Sequence, residues 1–191
     1  MQELKERIAK EGKVLPGNII KVDGFLNHYI DTELMDHIAA EFGRYFNMDE
    51  VDVILTAEAS GIALAAIVAQ HFRKPMIFAK KAKSDNIEGG LYQSDIFSYT
   101  YKKKVTLLVS KEWFHPGDRV LIVDDFMANG EAMRGLCDIV EKAGAKLAGI
   151  GCAVEKGFQG GGDRLRAAGV NLHSLAVIDS AEPGNIVFRE D

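Results

Sequence analysis

Two adjacent carboxylates, Asp124 and Asp125, close the most strand-like run of the chain, residues 119–124 (RVLIVD), and beyond Phe126-Met127 comes the small turn Ala128-Asn129-Gly130. Asn and Gly tolerate positive φ, so successive backbone N–H groups in such a turn can converge into an anion-binding nest. After the turn, Met133, Leu136, Cys137, Val140 and Ala143 recur at helical spacing, with Gly144 where a C-cap glycine belongs. The nest therefore lies at a helix N-terminus, where unpaired amides and the dipole attract negative charge. The dipole contributes about 0.3–1 kcal/mol per exposed charge and each hydrogen bond to a charged group roughly 1.5–3 kcal/mol, so four or five donors could hold a phosphate without Lys or Arg. The acids cannot themselves bind phosphate; sugar hydroxyls or a hydrated divalent cation are their natural partners. Taken alone, the segment also fits an ordinary strand–turn–helix with solvated acids. No GxxxxGK[ST] or GxGxxG pattern is present.

The elements that must hold this turn in place alternate along the chain. Residues 51–56 (VDVILT), 75–80 (PMIFAK), 105–110 (VTLLVS), 119–124, 147–154 and 172–178 (LHSLAVI) read as strands, and residues 61–72 (GIALAAIVAQHF) and 131–143 as helices. Strands apolar along their whole length, alternating with helices, mean an α/β fold: a mainly parallel sheet with helices on both faces. Ligands of such sheets bind beyond the carboxyl ends of strands, which singles out the chain after Thr56, Asp124 and Val154. Two stretches break the alternation. Residues 1–31 hold a short amphipathic helix and a Pro16-Gly17 turn, and residues 82–101 are polar, with Gly89-Gly90 and several tyrosines. So long a connection reads as a mobile functional loop.

Composition narrows the classes. The chain has 191 residues, 23 Lys and Arg against 28 Asp and Glu, and a net charge of −5. That length implies one domain over residues 1–191, and mild acidity argues against a nucleic-acid-coating protein. No apolar run approaches the ~20 residues of a membrane span, and the charged N-terminus does not look like a secretory signal. Cys137 and Cys152 lack metal spacing and read as small core residues of a reduced, cytoplasmic protein. The five histidines show no HExxH or HxxxH spacing; Gly160-Gly161-Gly162 reads as a flexible turn, and Trp113 as packing a hairpin or a subunit contact.

The segment VLIVDDFMANGEA resembles the thirteen-residue phosphoribosyl-diphosphate (PRPP) motif of the type I phosphoribosyltransferases: an apolar strand, two acids and a small loop containing Thr-Gly. Here Asn129 replaces the threonine, removing a hydroxyl donor but leaving the backbone donors. The resemblance extends over the chain. It implies a core over about residues 35–155 and a hood from about 1–34 and 156–191, with residues 82–101 as the family's flexible flap. The Ala-Asn-Gly form of the motif, Leu26-Asn27, and Val154-Glu155-Lys156-Gly157-Phe158 resemble the branch that acts on xanthine. The implied reaction transfers ribose 5-phosphate from PRPP to a purine nitrogen, with loss of pyrophosphate.

The resemblance assigns roles residue by residue. Ala128, Asn129, Gly130, Glu131 and Ala132 would cradle the 5′-phosphate through their amides. Asp124 and Asp125 would face the ribose hydroxyls, and Ala57, Glu58, Ala59, Ser60 and Gly61 the pyrophosphate. Lys81 would supply charge to the leaving group, or be a solvated lysine beside Lys80. Mg²⁺ is implied as cofactor, held by PRPP and pyrophosphate oxygens rather than by direct protein ligands. For the oxopurine base, Lys156 has donors only and suits a 6-oxo group, Asn27 offers both donor and acceptor to the 2-oxo edge, and Ile20 would bound the base plane. Phe126 or Phe158 could stack on the ring or belong to the core. A homodimer is implied, with no membrane or nucleic-acid partner. Hypoxanthine or guanine as acceptor is the alternative; a PRPP-sensing transcription regulator is a further one, which would need a helix-turn-helix or a basic face.

Overall fold

Successive residues of a strand face opposite sides of its sheet, so a strand apolar throughout requires cover on both. The computed structural model describes residues 1–81, 90–98 and 103–190. Its elements run α1 (Gln2–Glu11), β1 (Lys13–Leu15), β2 (Ile19–Lys21), a π-turn (Asp23–Asn27), α2 (Thr32–Phe42), β3 (Val53–Ala57), α3 (Gly61–Phe72), β4 (Met76–Ala79), β5 (Leu91–Ser98), β6 (Lys103–Ser110), β7 (Arg119–Met127), α4 (Glu131–Lys142), β8 (Lys146–Lys156), α5 (Gly161–Ala167), β9 (Leu172–Glu182) and β10 (Asn185–Phe188). The six-stranded central sheet has the order β10-β9-β8-β7-β3-β4, parallel except for β10.

The cover is divided as the alternation requires. Ile54, Leu121 and Val123 pack with Met35, Ile38 and Phe42 of α2 and Leu64, Ala65 and Val68 of α3. Val53, Leu55, Val120 and Ile122 point the other way, against Met133, Leu136, Ile139 and Val140 of α4. Each large side chain buried in this way contributes about 1.5–3 kcal/mol. Leu4 and Ile8 of α1 and Phe25 and Leu26 of the π-turn are fully buried in the first of these cores. They fix the start of the chain onto the sheet.

Two expectations are corrected. Part of the presumed 82–101 loop is strand: β5 pairs antiparallel with β6 from Leu91↔Ser110 to Ser98↔Lys103, and the remainder of that stretch lies outside the described residues. Residues 105–110 accordingly belong to this hairpin rather than to the central sheet. The hairpin buries Ser94, Ile96, Leu107 and Val109, and Ile96, Leu107 and Val109 join the α4 core. It is tied to the central sheet by reciprocal backbone bonds between Lys80 and Leu108, 2.9 and 2.8 Å. Among the described residues no helix is long and apolar enough to cross a membrane.

Candidate active site

The strand order creates the cleft. From β3 the chain crosses through α3 to β4 on one side, then returns to β7 on the other side of β3. The connections leaving β3 and β7 therefore diverge, and a crevice opens beyond their carboxyl ends. A cavity of about 510 Å³ lies there, with Ala57, Glu58 and Ser60 on one wall and Asp124 through Met133 on another. Lys81, Ile20, Asn27 and Lys156 complete it. Of the residues expected at the site, Ala59 and Gly61 do not reach the cavity wall.

The bend after β7 is shaped by its backbone. Gly130 has φ 80°, a left-handed conformation that costs a side-chain-bearing residue about 1–2 kcal/mol. It caps α4 without a side-chain hydrogen bond, and the Glu131 N–H donates to Asn129 Oδ1 at 3.4 Å. Gly130, Glu131 and Ala132, at the opening of α4, line the cavity. Glu131 itself turns aside to Arg134, 3.0 Å, which holds its carboxyl below the usual range. Behind the bend sits a structure the sequence did not disclose: the glycine run at 160–162 is the start of helix α5, not a flexible turn. A Cβ on Gly161 would lie 2.5 Å from the Ala128 oxygen and 2.6 Å from the Gly130 nitrogen.

The two acids are buried differently engaged. Asp125 accepts from Asn27 Nδ2 at 2.9 Å on one oxygen and from Ser60 Oγ at 2.8 Å on the other. Asp124 Oδ1 accepts the Asp125 backbone N–H at 3.0 Å. Burial, reinforced by the adjacent Asp125, pushes the Asp124 carboxyl well above the usual range, while Lys81 pulls it back down. Gly61 lies directly beneath, since a Cβ there would stand 2.4 Å from Asp124 Oδ1 and 2.3 Å from the buried Thr56 Oγ1. That hydroxyl has no partner among the described residues.

The bend after β3 adds side-chain ties to its backbone bonds, in which Glu58 N–H donates to the Ala79 carbonyl at 3.0 Å and Ile62 N–H to the Ala59 carbonyl at 3.2 Å. Ser60 reaches Asp125, and Glu58 Oε1 accepts the Lys81 backbone N–H at 2.5 Å. The Glu58–Ala59 peptide is cis. At the far end, Lys156 leaves β8 with its ammonium donating to the Asn18 carbonyl at 3.0 Å and lying 5.5 Å from the centre of the Phe126 ring. Burial lowers its pKa. Phe126 lines the cavity; Phe158 does not. Glu155, one residue away, is fully buried and held by Arg166 at 2.6 Å and by Ser174.

Sequence reasoning missed Ile96 and Phe97 of β5, which wall the cavity, and the Asn18 carbonyl. The Pro16-Gly17 turn was the only trace of the β1–β2 hairpin that presents Asn18. The histidines at helical positions are spoken for: His37 bonds Glu3 at 3.0 Å and His71 bonds Asp36 at 2.7 Å. Among the described residues no three His, Cys, Asp or Glu side chains converge as metal ligands. Burial raises the Cys137 thiol to about 11 and that of Cys152 well above its ordinary value, so neither is a poised nucleophile.

Comparison with known proteins agrees with this architecture. Residues 28–167 match the family model described as phosphoribosyl transferase domain. A xanthine phosphoribosyltransferase of Lachnoclostridium phytofermentans is 53% identical, with 100% of each chain covered. One from Bifidobacterium animalis subsp. lactis is 52% identical over 99% of this chain and 100% of the other. Among solved structures, an adenine phosphoribosyltransferase (APRTase) of Giardia lamblia, complexed with 9-deazaadenine, shares the fold with a TM-score of 0.76 at 20% identity, covering 91% of this chain and 96% of that one. The family match over most of the chain, and relatives that share half its residues from end to end, establish that this chain belongs to the phosphoribosyltransferase family.

Proposed function

We propose that this chain transfers the 5-phosphoribosyl group of PRPP to xanthine, releasing pyrophosphate and forming XMP. The observation that carries the reading is the cavity at the β3/β7 divergence, which gathers a glycine-turned bend at a helix start, two buried acids and a donor-only ammonium. In this reading the amides of Ala128 to Ala132 grip the 5′-phosphate, and Asp124 and Asp125 receive the ribose hydroxyls. The glycosidic bond breaks with positive charge growing on the sugar, which the acids stabilise. Negative charge on the departing pyrophosphate meets the bend at Ala57, Glu58 and Ser60 and the ammonium of Lys81. No protein nucleophile is required; the rate comes from positioning and charge stabilisation.

Mg²⁺ fits this donor set: two acids with other partners leave an ion to take most of its oxygens from diphosphate, ribose and water, and when bound it would neutralise the leaving group. Lys156 donates to the 6-oxo group, which disfavours adenine with its 6-amino group. Asn27 reads the 2-position and Ile20 bounds the ring. We further propose a homodimer working in the cytoplasm; two unpaired thiols suit a reducing compartment.

The test is steady-state kinetics of the purified chain with PRPP and Mg²⁺ against xanthine, guanine and hypoxanthine. The highest kcat/KM is expected for xanthine. A strong preference for hypoxanthine would move the assignment to the alternative 6-oxopurine transferase.

A further inference from the structure

The glycines at 160–162 and the charged residues after them lie outside the cavity, yet they touch its anion bend from behind. Gly161 packs so closely on Ala128 to Gly130 that no side chain fits between them, and the Gly130 Cα in turn faces the Gly161 backbone. Arg164, on the exposed side of α5, donates from Nη2 to the Asn129 carbonyl at 2.9 Å and from Nη1 to the Gln159 carbonyl at 3.4 Å. One guanidinium thus bridges the bend and the segment that leads into α5. The helix is itself anchored. Arg166 donates through both terminal nitrogens to Glu155, at 3.1 and 2.6 Å, and Glu155 is fully buried at the end of β8. Arg189 adds a second tether through Asp163 at 2.8 Å.

This arrangement has a consequence for anion binding. An amide nest works only if its N–H groups already point at the ligand before it arrives. The carbonyl of Asn129 belongs to the peptide whose N–H is that of Gly130, and peptide planarity makes the two groups point in opposite directions. A donor that holds the carbonyl outward therefore holds the N–H toward the cavity. We propose that Arg164 and Gly161 are positioning residues for the phosphate bend: α5 sets the orientation of the 129–130 peptide from outside the cavity. The cation acts without touching the phosphate.

The inference rests on the reading of residues 128–132 as the 5′-phosphate site, and the experiment separates the two. Ribose 5-phosphate and magnesium pyrophosphate are titrated calorimetrically into the full chain and into Arg164→Ala, Arg164→Lys and Gly161→Ala. Arg164→Ala should bind ribose 5-phosphate about tenfold more weakly, the scale of one charge-assisted hydrogen bond. Arg164→Lys, which keeps one donor, should recover part of that loss. Gly161→Ala should weaken ribose 5-phosphate at least as much as Arg164→Ala. Pyrophosphate affinity should be unchanged throughout, because its bend follows β3. Unaltered ribose 5-phosphate binding in Arg164→Ala and Gly161→Ala would overturn the inference, as would an equal loss of both ligands. A wild-type chain that takes up pyrophosphate but no ribose 5-phosphate would overturn the reading of the bend as well.

Discussion

The bends after β3 and β7 occupy equivalent positions, each joining the carboxyl end of a parallel strand to a helix on one side of the same cavity. They are stabilised differently. The β7 bend is turned by a left-handed glycine, and α5 braces it from behind through Gly161 and Arg164. The β3 bend has backbone bonds, Glu58 N–H to the Ala79 carbonyl and Ile62 N–H to the Ala59 carbonyl, and adds two side-chain ties, Ser60 to Asp125 and Glu58 to the Lys81 amide. A braced bend suits a phosphate that stays with the sugar throughout the reaction. A bend whose side-chain ties reach across to the acids and to the Lys81 amide suits a group that arrives with PRPP and departs as pyrophosphate. The acids between them share this character, since both oxygens of Asp125 are taken by partners that ribose hydroxyls would have to replace.

Four outcomes would sharpen or break that contrast. Asp125→Asn, which removes a charge that both walls share, should lower turnover tenfold or more, on the order of 1.4 kcal/mol in the barrier; unchanged kcat would remove Asp125 from the reacting centre. Gly130→Val should raise the KM for PRPP by about tenfold, because a β-branched residue pays roughly 1–2 kcal/mol in the left-handed region and must distort the bend. An unchanged KM would show that the bend is not backbone-defined. Lys156→Gln touches neither bend. It should lower the ratio of kcat/KM for xanthine over adenine by about fivefold, near 1 kcal/mol, while leaving the KM for PRPP alone. Retained selectivity would mean that the base is read elsewhere.

The last and smallest effect concerns pH. Burial lifts the Asp124 pKa above its unfolded value, so the fold favours the protonated acid. That contribution is fully present below the unfolded pKa, near 3.9, and is lost as pH rises through the folded value. Asp124→Asn should therefore be more stable than the wild type at neutral pH, with the gap closing below about pH 4. Urea unfolding across that range measures it; an Asp124→Asn variant less stable than the wild type at every pH would contradict a buried, charge-averse carboxyl.

The β7–bend–α4 unit was legible in the sequence because every signal it needs is local: an apolar strand, paired acids, a positive-φ residue and a helical stripe lie within one short segment. Lys156 and Asn27 were found by resemblance, and the structure brings both to the cavity. The β5 strand escaped notice because Ser94, a polar residue, occupies one of its few buried positions and so masks the period-two pattern. The glycines at 160–162 were misread because their meaning depends on backbone that lies about thirty residues earlier in the chain. A spacer glycine and a hinge glycine look alike until the opposing surface is known.

The sequence by itself determined the class of fold, the glycine-turned bend after β7 and the pair of acids, since hydrophobic period and backbone freedom are properties of neighbouring residues. Tertiary structure alone decided that Asn27 caps Asp125, that Glu155 is a buried anchor rather than a surface charge, and that α5 stands behind the bend after β7. Those are long-range pairings. They arise when parallel strands bring distant loops to one sheet end, and the chain pattern does not encode which loops will touch.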